Sequence, residues 1–289
     1  MTHTRTRFAS ILIGFALTTA VFVGGAMAGP TKFGSRSLDI PDPSGFEPVS
    51  KDLPQVFDVS QAYLPPGNRL VEAYIKPEAK AELLAGNPQD LERYFQLQVL
   101  RQVDGVSISD EEFAANMEQV EAEIAKLAPT LDKQAAELAS SGNKAVKDQY
   151  GADANLTLSG VQYDGVFKRE PWGVFFSMGS NVAVGPGTEK RVIGGTAIVM
   201  VKQQLLYLYC FADDTGPEAR RWVQENVVAW AESIREANGE DATATGSEAG
   251  ATAGAGSRSS GVMRGAIVGA LIGGIVGLMF WLNKKRKAG

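Results

Sequence analysis

The C-terminal stretch from Gly265 to Leu282 constrains this chain most, because none of its 18 residues carries a charge. At about 1.5 Å per residue, such a helix is roughly 27 Å long, close to the bilayer's hydrocarbon thickness of about 30 Å. Four basic residues follow Asn283, and basic residues beside a span favour the cytoplasmic side of a membrane. The sequence therefore predicts one transmembrane helix over residues 262–283 and a basic cytoplasmic tail over residues 284–289.

The N-terminus carries the three parts of a secretory signal peptide. Arg5 and Arg7 precede a long apolar run, and the small-residue motif at 26–28 resembles a cleavage site. We therefore predict a signal peptide over residues 1–28. The alternative is an uncleaved first span, which would give a two-helix anchor. The chain has one cysteine, so it cannot form an internal disulfide.

Together the two ends predict a location and a topology. A secretory signal without disulfides suits the bacterial periplasm. We expect a single-pass protein of the bacterial inner membrane, with its N-terminal domain in the periplasm and its C-terminus in the cytoplasm.

The region between the two ends is acidic. Residues 29–240 hold 20 Lys and Arg against 31 Asp and Glu, a formal net charge of −11. This charge disfavours binding to nucleic acid or to anionic lipid. Composition divides the region into a Pro-rich, loop-like arm over residues 29–66, a domain over residues 67–238 and a flexible Gly/Ala/Ser linker over residues 239–261.

Hydrophobic periodicity predicts an α+β domain with an antiparallel sheet. Two strands come first, and four more with short connections should form a meander. The predicted strands cover residues 68–75, 94–103, 160–167, 172–184, 191–201 and 205–211.

Helices should flank this sheet. Ser109 and Glu112 form a capping box that begins a long amphipathic helix, and Pro129 should end or kink this helix near residue 128. A second helical piece is expected over residues 130–140, and residues 142–154 are interpreted as a loop or a short helix. A C-terminal amphipathic helix should begin at Pro217 and end near residue 238.

The order of these elements resembles a Mog1/PsbP-like α+β sandwich, in which helices flank an antiparallel sheet. The resemblance covers residues 68–238 and is carried by residues 190–211 running into residues 217–238. It rests on element order without a signature motif, so it transfers no functional residue. Domains of this kind are expected to act as binding or assembly modules more often than as enzymes.

The chain lacks the residues that most catalytic mechanisms need. The only histidine, His3, lies in the predicted signal peptide, which excludes a Ser-His-Asp triad, a His-ligated zinc and a His general base in the mature chain. Cys210 lies between two aromatic residues on a predicted strand and is interpreted as a small core residue. No nucleotide-binding or calcium-binding loop motif is present. We therefore predict no catalytic residue, no metal and no cofactor.

One enzymatic alternative stays open. A hydrolase can work with two carboxylates. The acidic side chains near the ends of predicted strands are Asp164, Glu170, Asp213 and Asp214.

Two features predict interactions. Glycines spaced by four residues allow membrane helices to pack closely, although small residues are common in such helices anyway; they are Gly265, Gly269, Gly273 and Gly277. An apolar seam on the long helix packs either across the sheet or against a partner helix; it consists of Phe113, Met117, Val120, Ile124 and Leu127.

These features predict a non-enzymatic, membrane-anchored periplasmic binding or assembly protein of the bacterial envelope. Its expected partners are the inner membrane, an unidentified envelope protein and a second copy of the chain through the span. The alternatives are a carboxylate-dependent hydrolase acting on cell-wall material and a structural role in which the apolar seam joins a larger membrane complex.

Overall fold

The computed structural model describes residues 30–87, 89–185 and 187–240, except for the side chains of residues 121, 123–125, 127 and 128. The predicted signal peptide, transmembrane helix and cytoplasmic tail lie outside these residues, as does the linker from residue 241 onward. Among the described residues, no helix is both long enough and apolar enough to cross a membrane.

The described part is an α+β fold with five α-helices, a seven-stranded antiparallel sheet and a separate two-stranded sheet. The prediction of an α+β fold with an antiparallel sheet is therefore confirmed. The strands are β1 (Thr31–Phe33), β2 (Arg36–Leu38), β3 (Glu47–Pro48), β4 (Asn68–Ile75), β5 (Arg93–Leu100), β6 (Thr157–Glu170), β7 (Gly173–Ala183), β8 (Lys190–Val201) and β9 (Gln204–Asp213). The helices are α1 (Pro54–Ala62), α2 (Pro77–Leu84), α3 (Asp110–Leu127), α4 (Leu131–Tyr150) and α5 (Pro217–Ala237).

The large sheet has the order β3-β4-β5-β9-β8-β7-β6, and every neighbouring pair is antiparallel. Strands β6 to β9 form the predicted meander. The first strand pair, β4 and β5, joins this meander through β9. The short edge strand β3 was not predicted, because it offers only two residues and one of them is Pro48.

Helices cover both faces of the sheet, so alternate side chains of one strand enter two different cores. On β9, Tyr207 and Tyr209 lie in the core under α1, α3 and α4. Leu208 and Cys210 lie in the core under α5 and the β1–β2 hairpin. This arrangement explains why the sequence of β9 shows no polar face.

Helix α5 packs directly against the sheet at Gly195 of β8. A Cβ atom at this position would lie 2.6 Å from the carbonyl oxygen of Val223 and 3.2 Å from Cγ1 of Val227. The glycine therefore sets how closely α5 packs against the sheet.

The interpretation of residues 29–66 as loop-like was wrong in two places. The β1–β2 hairpin and helix α1 lie within this arm, and the apolar side chains of both are buried. The indole Nε1 of Trp230 on α5 donates to the carbonyl oxygen of Pro41 at 2.9 Å. Helix α1 was not predicted because prolines are frequent in this arm. Pro54 nevertheless fits the helix, since it occupies the first turn, where no amide hydrogen is needed.

Helix α3 begins as predicted. The amide of Ser109 donates to the carboxylate of Glu112 at 3.0 Å, and the amide of Glu112 donates to Oγ of Ser109 at 3.2 Å. The helix ends at Leu127, one residue before a 3₁₀ turn that contains Pro129. Both halves of the capping box and the break at the proline are therefore confirmed.

The second helical piece is longer than predicted. Helix α4 continues to Tyr150, so residues 142–150 are helical although their sequence is polar and contains Gly142. A Cβ atom at Gly142 would lie 2.0 Å from Cδ1 of Tyr63. The glycine is present because a buried aromatic ring packs directly on the helix backbone, and helix propensity alone cannot reveal this contact.

Side-chain contacts hold the last described residue, Glu240, to the domain. Its carboxylate accepts from the amide of Lys202 at 2.8 Å and from Nη1 of Arg235 at 2.9 Å. The buried guanidinium of Arg235 also donates to the carbonyl oxygen of Met200 at 3.0 Å and lies 4.6 Å from the centre of the Trp172 ring. The chain therefore leaves the domain beside the β8–β9 turn.

Carboxylates outnumber cations where the arm meets β4 and α2. Nζ of Lys80 lies 2.7 Å from Asp52 and 3.3 Å from Glu47. Glu72 accepts from the amide of Ser50 at 3.0 Å. Burial raises the pKa of Asp42, and the negative charges of Glu72 and Glu47 raise it further against the opposing effect of Lys80.

Asp42→Asn should therefore increase the free energy of unfolding at pH 7. The pKa of Asp42 is higher in the folded state than in the unfolded state. Its ionisation therefore lowers the stability as the pH rises from the unfolded-state pKa to the folded-state pKa. The gain should shrink as the pH falls towards about 4, the ordinary range of an Asp carboxyl group.

Urea denaturation between pH 4 and pH 7 would measure this difference. Asp153→Asn removes an exposed carboxylate on the surface and serves as the control. A gain in stability that stays constant across this pH range would contradict the assignment.

Candidate functional site

The predicted carboxylates Asp213 and Asp214 lie where β9 passes into α5. The amide of Asp214 donates to the carbonyl oxygen of Arg191 at 2.9 Å, so the chain stays beside β8 until it turns. Gly216 then has φ +119°, a backbone conformation that favours glycine, and Pro217 begins the helix. This turn forms one wall of an open cleft.

Each predicted carboxylate has a basic partner. Asp213 lies 2.8 Å from Nζ of Lys190, and Asp214 lies 3.1 Å from Nε of Arg191. Asp164 pairs with Nη1 of Arg220, and Glu170 lies 3.3 Å from Nζ of Lys168. The two adjacent aspartates thus have different partners on β8, and Asp213 shares Nζ of Lys190 with Asp90, which lies 2.5 Å from it.

Burial affects the titration of Asp213. Partial burial raises its pKa, the positive charge of Lys190 lowers it, and the negative charges of Asp90 and Glu92 raise it further. Burial also raises the pKa of the Cys210 thiol well above its usual range, and this side chain is completely buried. The interpretation of Cys210 as a small core residue agrees with this position.

The cleft beside the start of α5 is an open surface groove with a volume of about 400 Å³. Its charged lining comes from one turn and one helix. The lining residues are Asp214, Gly216, Pro217, Arg220, Arg221 and Gln224.

Arg191 lies next to this cleft, because it contacts the lining residue Asp214. Its Nε donates to Asp214 at 3.1 Å, its Nη1 to Asn181 at 3.4 Å and its Nη2 to Gln162 at 3.2 Å. The guanidinium group lies against Gly179, where a Cβ atom would be 2.9 Å from Nη2. One side chain therefore connects strands β6, β7 and β8 with the turn before α5.

The other wall is held by contacts between α5 and the sheet. Arg220 reaches Asp164 on β6, and Nε2 of Gln224 lies 3.5 Å from Oγ of Ser177 on β7. Arg221 extends outward, and its side chain is 66% exposed. The cleft is therefore bordered by ion pairs and by the largely exposed Arg221.

Sequence reasoning found the carboxylates but missed the arginines. A signal was present: Arg220 and Arg221 fall near the N-terminus of α5, where the helix dipole disfavours positive charge. Two cations in such a place add little to helix stability, which is a reason to look for another role.

No protein-family model matches the sequence, and no curated protein is significantly similar to it. Any functional conclusion must therefore come from the residues and geometry of this chain.

Three residues of the predicted partner seam lie inside the chain's own core. Phe113, Met117 and Val120 are buried in the core under α1, α3 and α4. The side chains of Ile124 and Leu127 lie outside the described part, so a role for them in partner binding stays a prediction. The glycines at 265, 269, 273 and 277 also lie outside it.

No group of three or more His, Cys, Asp or Glu side chains within the described ranges is arranged to hold a metal ion. The charged groups around the cleft are instead paired with each other. The arrangement suits recognition of a polar or charged ligand, since guanidinium groups are directional hydrogen-bond donors.

Proposed function

We propose that this chain is a non-enzymatic, single-pass binding or assembly protein anchored in the bacterial inner membrane, with its acidic domain in the periplasm. The sequence patterns at both ends support the anchor and the topology. The observation that carries the non-enzymatic part is the pairing of all four candidate carboxylates with Lys or Arg.

Such pairing is unfavourable for hydrolysis by two carboxylates. Glycosidases need a protonated carboxylic acid and a second carboxylate about 5–10 Å away. A Lys or Arg partner occupies hydrogen-bonding positions of the carboxylate that a substrate would need. Asp164 and Glu170 are also six residues apart on one strand, a separation of roughly 20 Å.

The surface of the domain also fits a polar mode of binding. Among the side chains that the structure describes, Leu84 and Val106 are the exposed large hydrophobic ones. A partner would therefore meet charged and polar groups, which is typical of interfaces that form and separate.

We further propose that the span brings copies of the chain together through its glycines. Gly269→Leu combined with Gly273→Leu should weaken self-association of the full chain about tenfold, because bulky side chains keep the helix backbones apart. A transmembrane association reporter in living cells would measure this change.

The matched control changes the opposite side of the predicted helix. Ile267→Leu with Ile275→Leu preserves bulk and should leave the reporter signal unchanged. Equal signals from the glycine variant and the wild type would refute packing through the glycines.

The binding function has its own test. Cross-linking in intact cells should capture a partner with the full chain but not with a version that lacks residues 30–238 and keeps the signal, linker and span. If both versions capture the same partners, the domain is not the binding module.

Hydrolysis of cell-wall material is the second candidate, and the raised pKa of Asp213 is the observation in its favour. If the full chain hydrolysed purified cell-wall glycan and Asp213→Asn abolished this activity, the protein would be a hydrolase rather than a binding protein.

A further inference from the structure

We propose that the core under α1, α3 and α4 contains a site for internal water molecules, bound by the side chains of Asn68, Gln96 and Tyr207. This inference does not depend on the proposed binding function. It is carried by polar atoms of these side chains that lack protein partners, by their mixed hydrogen-bonding character and by their uncharged surroundings.

Polar side chains form a row across β4 and β5 on this face of the sheet. Nδ2 of Asn68 donates to Oε1 of Gln98, and Nε2 of Gln98 donates to Oε1 of Gln96, each at 2.9 Å. Tyr207 of β9 lies opposite Gln98 in the strand pairing and belongs to the same core. All four residues are at most 1% exposed, so bulk solvent does not reach them.

Three polar atoms of this group have no hydrogen-bond partner among the described residues. They are Oδ1 of Asn68, Nε2 of Gln96 and the hydroxyl oxygen of Tyr207. Burying a polar atom without a partner is unfavourable, and nearly all buried polar groups in folded proteins bond either to protein or to ordered water. Three such atoms on three neighbouring strands therefore indicate molecules bound inside this core.

The chemistry of the three atoms identifies water. Oδ1 of Asn68 accepts hydrogen bonds, Nε2 of Gln96 donates them, and a hydroxyl group does both. Burial raises the pKa of Tyr207, so its hydroxyl keeps the proton. A metal cation would interact only with the acceptors and an anion only with the donors, whereas water serves both.

The surroundings also disfavour an ion. Within the described ranges, the most deeply buried polar side chains are amides and hydroxyls, and none of them carries a charge. Next to Gln96 the core is aromatic, with the rings of Tyr94 and Phe211 stacked at 4.7 Å. A buried ion would have no opposite charge to balance it here, which makes its transfer from solvent costly.

The length of the row requires more than one water molecule. Asn68 lies opposite Leu100 in the strand pairing, four residues from Gln96, which is roughly 13 Å along the strand. One water molecule joins two groups only when they are about 5–6 Å apart. A chain of waters that passes the hydroxyl of Tyr207 would give each molecule two or more partners, as internal waters require.

X-ray radiolytic labelling of the full chain in detergent micelles would detect these waters. Radiolysis of a bound water molecule produces a hydroxyl radical beside the side chain that it contacts, even when that side chain is buried. We expect Tyr207 to be oxidised several times faster than Tyr74. Tyr74 is the matched control, because it is a buried tyrosine of the same sheet but faces the core under α5.

Tyr207→Phe provides a second test, because it removes only the hydroxyl. If this hydroxyl bonds to water, the urea midpoint of the full chain should fall, as it should for Tyr63→Phe, which loses the bond to Oδ1 of Asn143 at 2.8 Å. A hydroxyl without any partner would give the opposite sign, since its removal relieves an unfavourable burial. A midpoint at or above that of the wild type, or labelling of Tyr207 no faster than that of Tyr74, would overturn the proposal.

Discussion

Replacing Gly195 with alanine should lower the free energy of unfolding by about 1–3 kcal/mol, the usual range when extra atoms enter a packed core. The added Cβ would lie 2.6 Å from the carbonyl oxygen of Val223. A backbone oxygen cannot rotate away, so α5 would have to move away from β8 as a unit. Urea denaturation followed by circular dichroism would measure the loss.

Gly67→Ala is the control for this experiment. A Cβ atom at Gly67 meets nothing within 4 Å, and the residue has no left-handed backbone conformation. Alanine at this position should change stability by less than about 1 kcal/mol, in the stabilising direction, because it restricts the unfolded chain. A similar loss from both variants would show that the contact with α5 is not the cause.

Replacing Gly142 with alanine should be comparably destabilising. Alanine in a helix interior normally gains about 1 kcal/mol over glycine. Here the new Cβ would lie 2.0 Å from Cδ1 of Tyr63, whose hydroxyl donates to Oδ1 of Asn143 at 2.8 Å. The ring is completely buried, so it has no space to move into, and we expect a net loss of about 2 kcal/mol.

A double-mutant cycle would identify the ring as the cause. Tyr63→Ala removes the clash, so adding Gly142→Ala to it should cost about 1–3 kcal/mol less than it does in the wild type. Ser141→Ala, on the exposed side of the same helix, should be neutral or slightly stabilising. Additive losses for the two substitutions would contradict the packing of Tyr63 on α4.

The regular parts of the fold could be predicted because their signals are local. Strand β4 has the predicted bounds, Asn68–Ile75, and α5 begins at Pro217 as expected. A capping box and a proline within a helix act through neighbours in the sequence, and both acted on α3 as predicted.

Features that depend on distant residues could not be predicted. Gln96 and Gln98 alternate with apolar residues, which is typical of a half-exposed strand, yet both glutamines are completely buried. Nδ2 of Asn68 donates to Gln98, and Nε2 of Gln98 donates to Gln96, each at 2.9 Å. This buried row depends on the pairing of β4 with β5, which no local pattern specifies.

Only part of the candidate site could be predicted, because its ion pairs also join residues that are far apart in the sequence. The sequence indicated Asp213 and Asp214 as candidates, because they lie between a predicted strand and a predicted helix. It could not pair them with Lys190 and Arg191, or pair Arg220 with Asp164 over 56 residues of chain. A carboxylate that has no obvious partner in the sequence therefore forms an ion pair once the sheet has formed.

The contacts of Glu240 have a mechanical consequence. Any tension applied from the C-terminal side of the chain reaches the folded domain first at this residue, where it is shared between Arg235 on α5 and the amide of Lys202 in the β8–β9 turn. Because Arg235 also contacts Met200 and Trp172, the load spreads into two hairpins of the sheet before the last turn of α5 has to unwind. The last described residue is thus connected to two hairpins of the sheet as well as to α5.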